Sequence, residues 1–275
     1  MSSESATVGR LQQRSTRALF LNSGVGAATW AALVPFAKAR LGLDEGTLGL
    51  LLLCLGVGSI LALPTASVLV VRYGCRKVLT AATVVICAAL PMLAVVTNFP
   101  LLAVALFVFG AGLGTADCAF NIQAVMVETE SGKPLMSGFH GFYSVGGIVG
   151  AAMASGLLTL GAAPLTSALA CVALMLVSLA TAFRGLLPYG SASDGPSLAI
   201  PRGIVLFLGI LCFVVFLVEG GGEVNIRALV IQMAGRGAQG VRNVIWAVAF
   251  GLVIVESVRQ RRGIEIGGCV DFKRW

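Results

Sequence analysis

Asp117 and Asn121 stand four residues apart in a stretch, Leu101 to about Val127, that is otherwise apolar enough to cross a bilayer. That spacing places both on one face of a helix. A carboxylate near a bilayer centre costs roughly 2.5–3.5 kcal/mol on helix-insertion scales, so an acid kept there marks a functional position by default. Its chemistry would be the uptake and release of a proton, or a structural hydrogen bond between helices. In the next apolar stretch, about Gly138 to Leu160, His140, Tyr143 and Ser144 fall at i, i+3 and i+4 and share a face. His140 suits a proton relay or a hydrogen-bonded structural role equally well. Tyr143 suits a bond to a solute hydroxyl, or an ordinary helix contact.

Asn22 and Trp30, eight apart on the first apolar stretch, lie roughly on one face and join the candidate cavity residues. An interfacial anchor is the alternative role for Trp30. Gly110 and Gly114 make a small-xxx-small pair, and Gly146, Gly147 and Gly150 are similarly suited to close helix packing rather than ligand contact. Arg72, Gly74, Arg76 and Lys77 form a tight basic turn that sets topology and braces a gate loop.

These residues need a scaffold, and composition says which. Of 275 residues, 57% are hydrophobic and only 11% charged, against about 25% charged in soluble domains. A water-facing surface cannot be covered with so little charge, so the chain is an integral membrane protein. The 35 glycines suit close packing of helices in lipid. The net charge of +7 reflects the side of the membrane on which cations fall, not a nucleic-acid partner. Seven cysteines with no CxxC pair, and a single histidine, offer no metal or disulfide framework. No cofactor is expected. The chain carries neither HExxH nor GxSxG, so no enzyme activity is expected either.

In order, the apolar stretches are Ala18–Ala37, Thr47–Val71, Val78–Thr97, Leu101 to about Val127, about Gly138 to Leu160, and Leu165–Phe183. Each matches the ~20 residues that a bilayer core requires. The first follows a basic segment, as a signal peptide would, but it is long for one and further spans follow at once. Residues 184–203, with Pro188, Gly190, Gly195, Pro196 and Pro201, have linker composition. A seventh span covers 204–218. Taking the amino terminus as cytoplasmic, inner segments up to residue 203 carry Arg10, Arg14, Arg17, Arg72, Arg76, Lys77, Lys133, Arg184 and Arg202, and outer loops only Lys38 and Arg40. That asymmetry predicts a cytoplasmic amino terminus.

The basic turn resembles the loop between spans two and three of the major facilitator superfamily, G-x-x-x-D-R-x-G-R-K. Arg72, Gly74 and Arg76 match it; Val71 stands at the Asp and Ser67 at the first Gly. The run Gly110 to Asp117, then Asn121, then Phe142 to Gly147, looks like the fourth and fifth spans of the fucose-permease branch, nearest to YbjJ-like bacterial inner-membrane proteins. The resemblance covers about residues 15–220. It implies an all-α, polytopic fold with a six-helix bundle over 1–183, a cytoplasmic linker over 184–203 and an incomplete second half over 204–275. It implies proton-coupled transport of a small polar solute, with sugars as one candidate class, across a bacterial inner membrane, by rocking of two bundles about a midplane site. Asp117 would couple the proton; Asn121, Tyr143, His140, Asn22 and Trp30 would line the cavity.

After Gly220 the pattern fails. Glu223, Arg227, Arg236 and Arg242 precede a short apolar run, Val244–Val255, which Arg259, Arg261, Arg262, Lys273 and Arg274 follow. A run of that length is too short to span comfortably. A frame-shifted reading of a longer gene is one expectation; an amphipathic tail on the cytoplasmic surface, held by anionic lipid, is the other. Either way the single chain is expected not to transport as a monomer. The competing functional class is a non-transporting membrane protein, a half-unit that forms a homodimer or the product of a disrupted gene.

Overall fold

The computed structural model describes residues 3–190, with side chains from Gly9 onward. The expected linker beyond residue 190, the seventh span and the basic tail lie outside the described residues. Six helices account for the rest: α1 (Ser3–Leu41), α2 (Glu45–Tyr73), α3 (Cys75–Val95), α4 (Phe99–Ser131), α5 (Met136–Thr159) and α6 (Pro164–Ala182), followed by a 3₁₀ turn at Phe183–Gly185. Each helix holds a window long and apolar enough to cross a bilayer. Each of the six spans expected between residues 18 and 183 falls within one helix to within two residues at its ends. The amino-terminal basic segment is itself helical. At 1.5 Å per residue α1 runs about 58 Å, well beyond a ~30 Å hydrocarbon core, so Arg10, Arg14 and Arg17 ride on a continuous helix.

Local chemistry explains where the helices break. The Asp44 carboxylate accepts the Thr47 N–H at 2.7 Å and caps α2, while the Asn98 side chain accepts the Leu101 N–H at 2.9 Å and caps α4 ahead of Pro100. Gly132 ends α4 in the left-handed region, with φ of 63°. Glu128 then reaches forward. Its Oε2 accepts the N–H groups of Leu135 and Met136, both at 2.6 Å, which satisfies orphan donors at the start of α5. Links of one to four residues leave each helix antiparallel to the next.

In lipid, helices associate by close packing rather than by escape from water. Two seams supply it. On α4, Gly110 and Gly114 lie against the backbone of Leu55 and Ser59 of α2, and Gly58 returns the approach against Phe107. On α5, Gly146 and Gly150 lie against Leu21 and Val25 of α1, and Gly24 returns it against Tyr143. A methyl group at any of these six positions would fall on a backbone atom of the facing helix. α3 bridges α4 and α6, and α6 also packs on α1; α4 and α5 scarcely touch. Phe20, Phe120 and Phe139 fill the middle, with Phe20 at 4.1 and 5.7 Å from the other two ring centroids.

The two ends differ. At one, Arg40 of α1 donates to the carbonyls of Val96 at 2.9 Å and Leu93 at 2.8 Å, and also to that of Ala94, capping the carboxyl terminus of α3. Lys38 pairs with Glu45 beside it. At the other, the basic end, named for its Arg14, Arg17, Arg72, Arg76, Lys77 and Arg184, residues 183–190 fold back under the bundle. Leu186 and Leu187 are buried there. The Arg76 N–H donates to the Leu187 carbonyl at 2.7 Å and the Cys75 N–H to that of Tyr189 at 3.2 Å. Linker composition therefore coexists with a packed backbone over 184–190, because its partners come from the remote 74–76 turn.

Candidate functional site

α4 and α5 flank α1 and leave between them a face that the described residues do not cover. Asp117 is exposed on it, and Asn121 lies one turn further along, half-buried, its Nδ2 donating to the Asp117 backbone carbonyl at 2.9 Å. That bond is local to the helix and uses the backbone oxygen; the Asp117 carboxylate forms no salt bridge among the described residues. Asp117 sits about 21 Å along α4 from its carboxyl-terminal end at the basic end, in the apolar stretch from Leu101 to about Val127. Across the gap α5 presents His140, Tyr143 and Ser144, all exposed. Asp117 is within electrostatic reach of both His140 and Tyr143. The His140 ring packs edge-on against Phe20, with 5.1 Å between centroids, so α1 is the floor on which the α5 group rests. Arg17 lies over the Phe142 ring at 5.7 Å and places a cation toward the basic end of the same helix pair.

Asp117, Asn121, His140 and Tyr143 are thus brought to one face. Asn22 and Trp30 are not. Asn22 is buried, with Nδ2 donating to the Met175 carbonyl of α6 at 3.1 Å and Oδ1 without a partner. Trp30 is buried in the core, its Nε1 also unpartnered. The helix face they share is turned into the bundle, where α6 covers Asn22. Arg72, Gly74 and Arg76 stand at the basic end, away from this face. Gly74 is the entire link between α2 and α3, at φ of 81°; a side chain there would also meet the Pro188 backbone. Arg76 donates from Nε to the Leu186 carbonyl at 2.8 Å and lies over the Phe183 ring at 5.5 Å.

One polar residue in the fourth stretch has a role that spacing does not reveal. Gln123 is fully buried; its amide nitrogen donates to Thr16 Oγ1 at 3.0 Å and its oxygen accepts the Leu187 N–H at 3.1 Å. It joins α1, α4 and the returning segment. The signal visible in the sequence is an amide in an apolar run, which in lipid must find partners. Among the described residues no three His, Cys, Asp or Glu side chains come together as a metal site.

A family model described as Major Facilitator Superfamily matches residues 18–218. An uncharacterised MFS-type transporter of Yersinia pestis is 54% identical over 213 residues, which are 77% of this chain and 56% of that protein. An uncharacterised transporter of Sinorhizobium fredii is 36% identical over 139 residues, 50% of this chain and 37% of that protein. The membrane protein MosC of Rhizobium meliloti is 27% identical over 131 residues, 48% and 32% of the two chains. This chain spans about half the length of the first of these relatives and less of the other two.

Proposed function

Because the chain belongs to the Major Facilitator Superfamily, we propose that the face bearing Asp117, Asn121, His140 and Tyr143 is one wall of the solute pathway of a proton-coupled secondary transporter. The observation that carries this reading is an exposed carboxylate, Asp117, in the apolar stretch of α4, with a histidine and a tyrosine exposed on the facing helix α5. Asp117 takes a proton when its face opens to the side of higher proton concentration and gives it up after the bundles rock. His140 relays the proton or holds the carboxylate; Asn121 and Tyr143 offer hydrogen bonds to a small polar solute. The likeness of Gly110–Asp117 and Phe142–Gly147 to the fucose-permease branch makes a sugar the first solute class to test. The excess of basic residues around 10–17, 72–77 and 133 supports a cytoplasmic amino terminus, in a bacterial inner membrane.

A midplane site of this kind is built between two repeats. The test therefore compares the chain alone with a chimera in which the remainder of the Yersinia relative completes the second bundle. In proteoliposomes carrying an inward proton gradient, a panel of sugars is screened for accumulation. The expected result is uptake by the chimera that Asp117→Asn abolishes while solute exchange without a gradient survives. Gradient-driven uptake unchanged by Asp117→Asn would overturn the assignment.

A further inference from the structure

The back of the bundle carries a second feature, unrelated to the candidate pathway. α2 and α3, joined by a one-residue link, each pack far more on α4 than on one another, which leaves α4 as the floor of a cleft between them. The cleft is a cavity of about 470 Å³ lined by Leu69 and Tyr73 of α2, Lys77 and Val85 of α3, and Phe107 and Thr115 of α4 among others. From Lys77 to Val85 is about 12 Å of helix, less than half the ~30 Å hydrocarbon core. The groove accordingly lies within one leaflet, the one at the basic end. Thr115 lines it, and Asp117 is two residues on, about 200° around α4. The groove and the pathway face are therefore on opposite sides of that helix.

Its polarity is graded. Walls away from the mouth are almost wholly apolar, and no acidic side chain lines it. Lys77, exposed, lines its end nearest the link, and Arg72, which is not itself in the lining, sets its guanidinium over the ring of the lining Tyr73, at 5.3 Å. Neither forms an ion pair among the described residues, where Lys38–Glu45 is the salt bridge present. Arg76, by contrast, is spent on the carbonyls of Leu186 and Arg184. Topology alone asks for cations at this end, but it does not ask for them at the entrance of an apolar cleft.

We propose that this groove is a binding site for an anionic phospholipid, with an acyl chain lying between α2 and α3 on α4 and the phosphate held at the mouth by Lys77 and Arg72. Charge complementarity selects the occupant: two cations with no ion-pair partner among the described residues beside a lining tyrosine, and a slot of almost wholly apolar walls. A bound lipid would wedge α2 against α3 and stabilise the bundle by mass action.

The test uses the full chain purified in a neutral maltoside detergent. Dioleoyl phosphatidylglycerol, dioleoyl phosphatidylcholine and glycerol phosphate are each titrated while the thermal unfolding midpoint is followed. The expected result is stabilisation by phosphatidylglycerol alone. The concentration required should rise roughly five-fold for Lys77→Gln and again for Arg72→Gln. Ala81→Phe, which keeps both cations and fills the groove from its exposed wall, should lose the effect. Equal response to phosphatidylcholine would overturn the proposal, as would stabilisation by glycerol phosphate alone or an undiminished response in Ala81→Phe. Should Ala81→Phe fail to fold, native mass spectrometry of the unaltered chain with both lipids at equal concentration decides instead. Preferential retention of phosphatidylglycerol is expected, and equal retention overturns the site.

Discussion

The Gln123 side-chain oxygen accepts the backbone N–H of Leu187 at 3.1 Å, across 64 positions of sequence. Together with the bond from its amide nitrogen to Thr16, this makes one buried side chain the junction of α1, α4 and the segment that returns beneath the bundle. Gln123→Leu would leave the Leu187 N–H without a buried partner, at about 1–3 kcal/mol, while the Thr16 hydroxyl keeps its bond to the Gln12 carbonyl. The expected outcome is a lower unfolding midpoint in detergent and faster tryptic cleavage after Arg184, read by gel and mass spectrometry. Unchanged cleavage would show that Gln123 does not hold the segment.

The glycine seams predict a contrast between adjacent positions. Gly146→Ala puts a methyl group on the Leu21 carbonyl, while Gly147→Ala meets nothing within 4 Å. The first should reduce folded yield by size-exclusion chromatography, and the second should leave it unchanged. Equal behaviour of the two would mean that α1 and α5 are not packed backbone to backbone.

Arg40 binds three carbonyls at the carboxyl terminus of α3. A hydrogen bond to a charged group contributes about 1.5–3 kcal/mol when buried, less where solvent reaches it as it does here. Arg40→Ala should lower the unfolding midpoint. Arg40→Lys should recover only part of the loss, because an ammonium cannot reproduce the planar fork. Full recovery by lysine would reduce the role to charge alone.

Asp44 predicts a pH dependence. The Thr47 backbone N–H holds its carboxyl below the usual carboxylate range, with the Thr47 side chain contributing next. A group whose folded-state value is depressed stabilises the fold above its unfolded value, about 3.9, and that contribution disappears as pH falls through the folded value. Asp44→Asn caps the helix without titrating. The difference in unfolding midpoint between the two proteins should therefore be constant near neutrality and shift against the aspartate below about pH 4. A difference that does not change with pH would remove the cap from the account of α2.

Hydropathy located the six helices because a run of ~20 apolar residues has few other uses. Asp117 and Asn121 were legible as a pair for a similar reason, since four-residue spacing fixes a shared face. Asn22 and Trp30 mark the limit of that reasoning. Their spacing says that they share a face, but what the face meets depends on α6, some 150 positions away. The same holds for residues 184–190: prolines and glycines there read as a linker, and only the carbonyl acceptors offered to Arg76 and the N–H offered to Gln123 reveal a packed strand of backbone. Arg40 was legible as a cation on the sparse side, not as a helix cap, because its acceptors lie on α3.

The weak meeting of α4 and α5 has a mechanical corollary. With α1 seated on α5 and α2 on α4 along backbone-on-backbone joints, and α1 tied to α4 by Phe20 and Thr16, the slot between α4 and α5 is floored by α1. Asp117 and His140 stand on opposite lips of that slot, so a small change in its width alters the separation of a carboxylate and an imidazole.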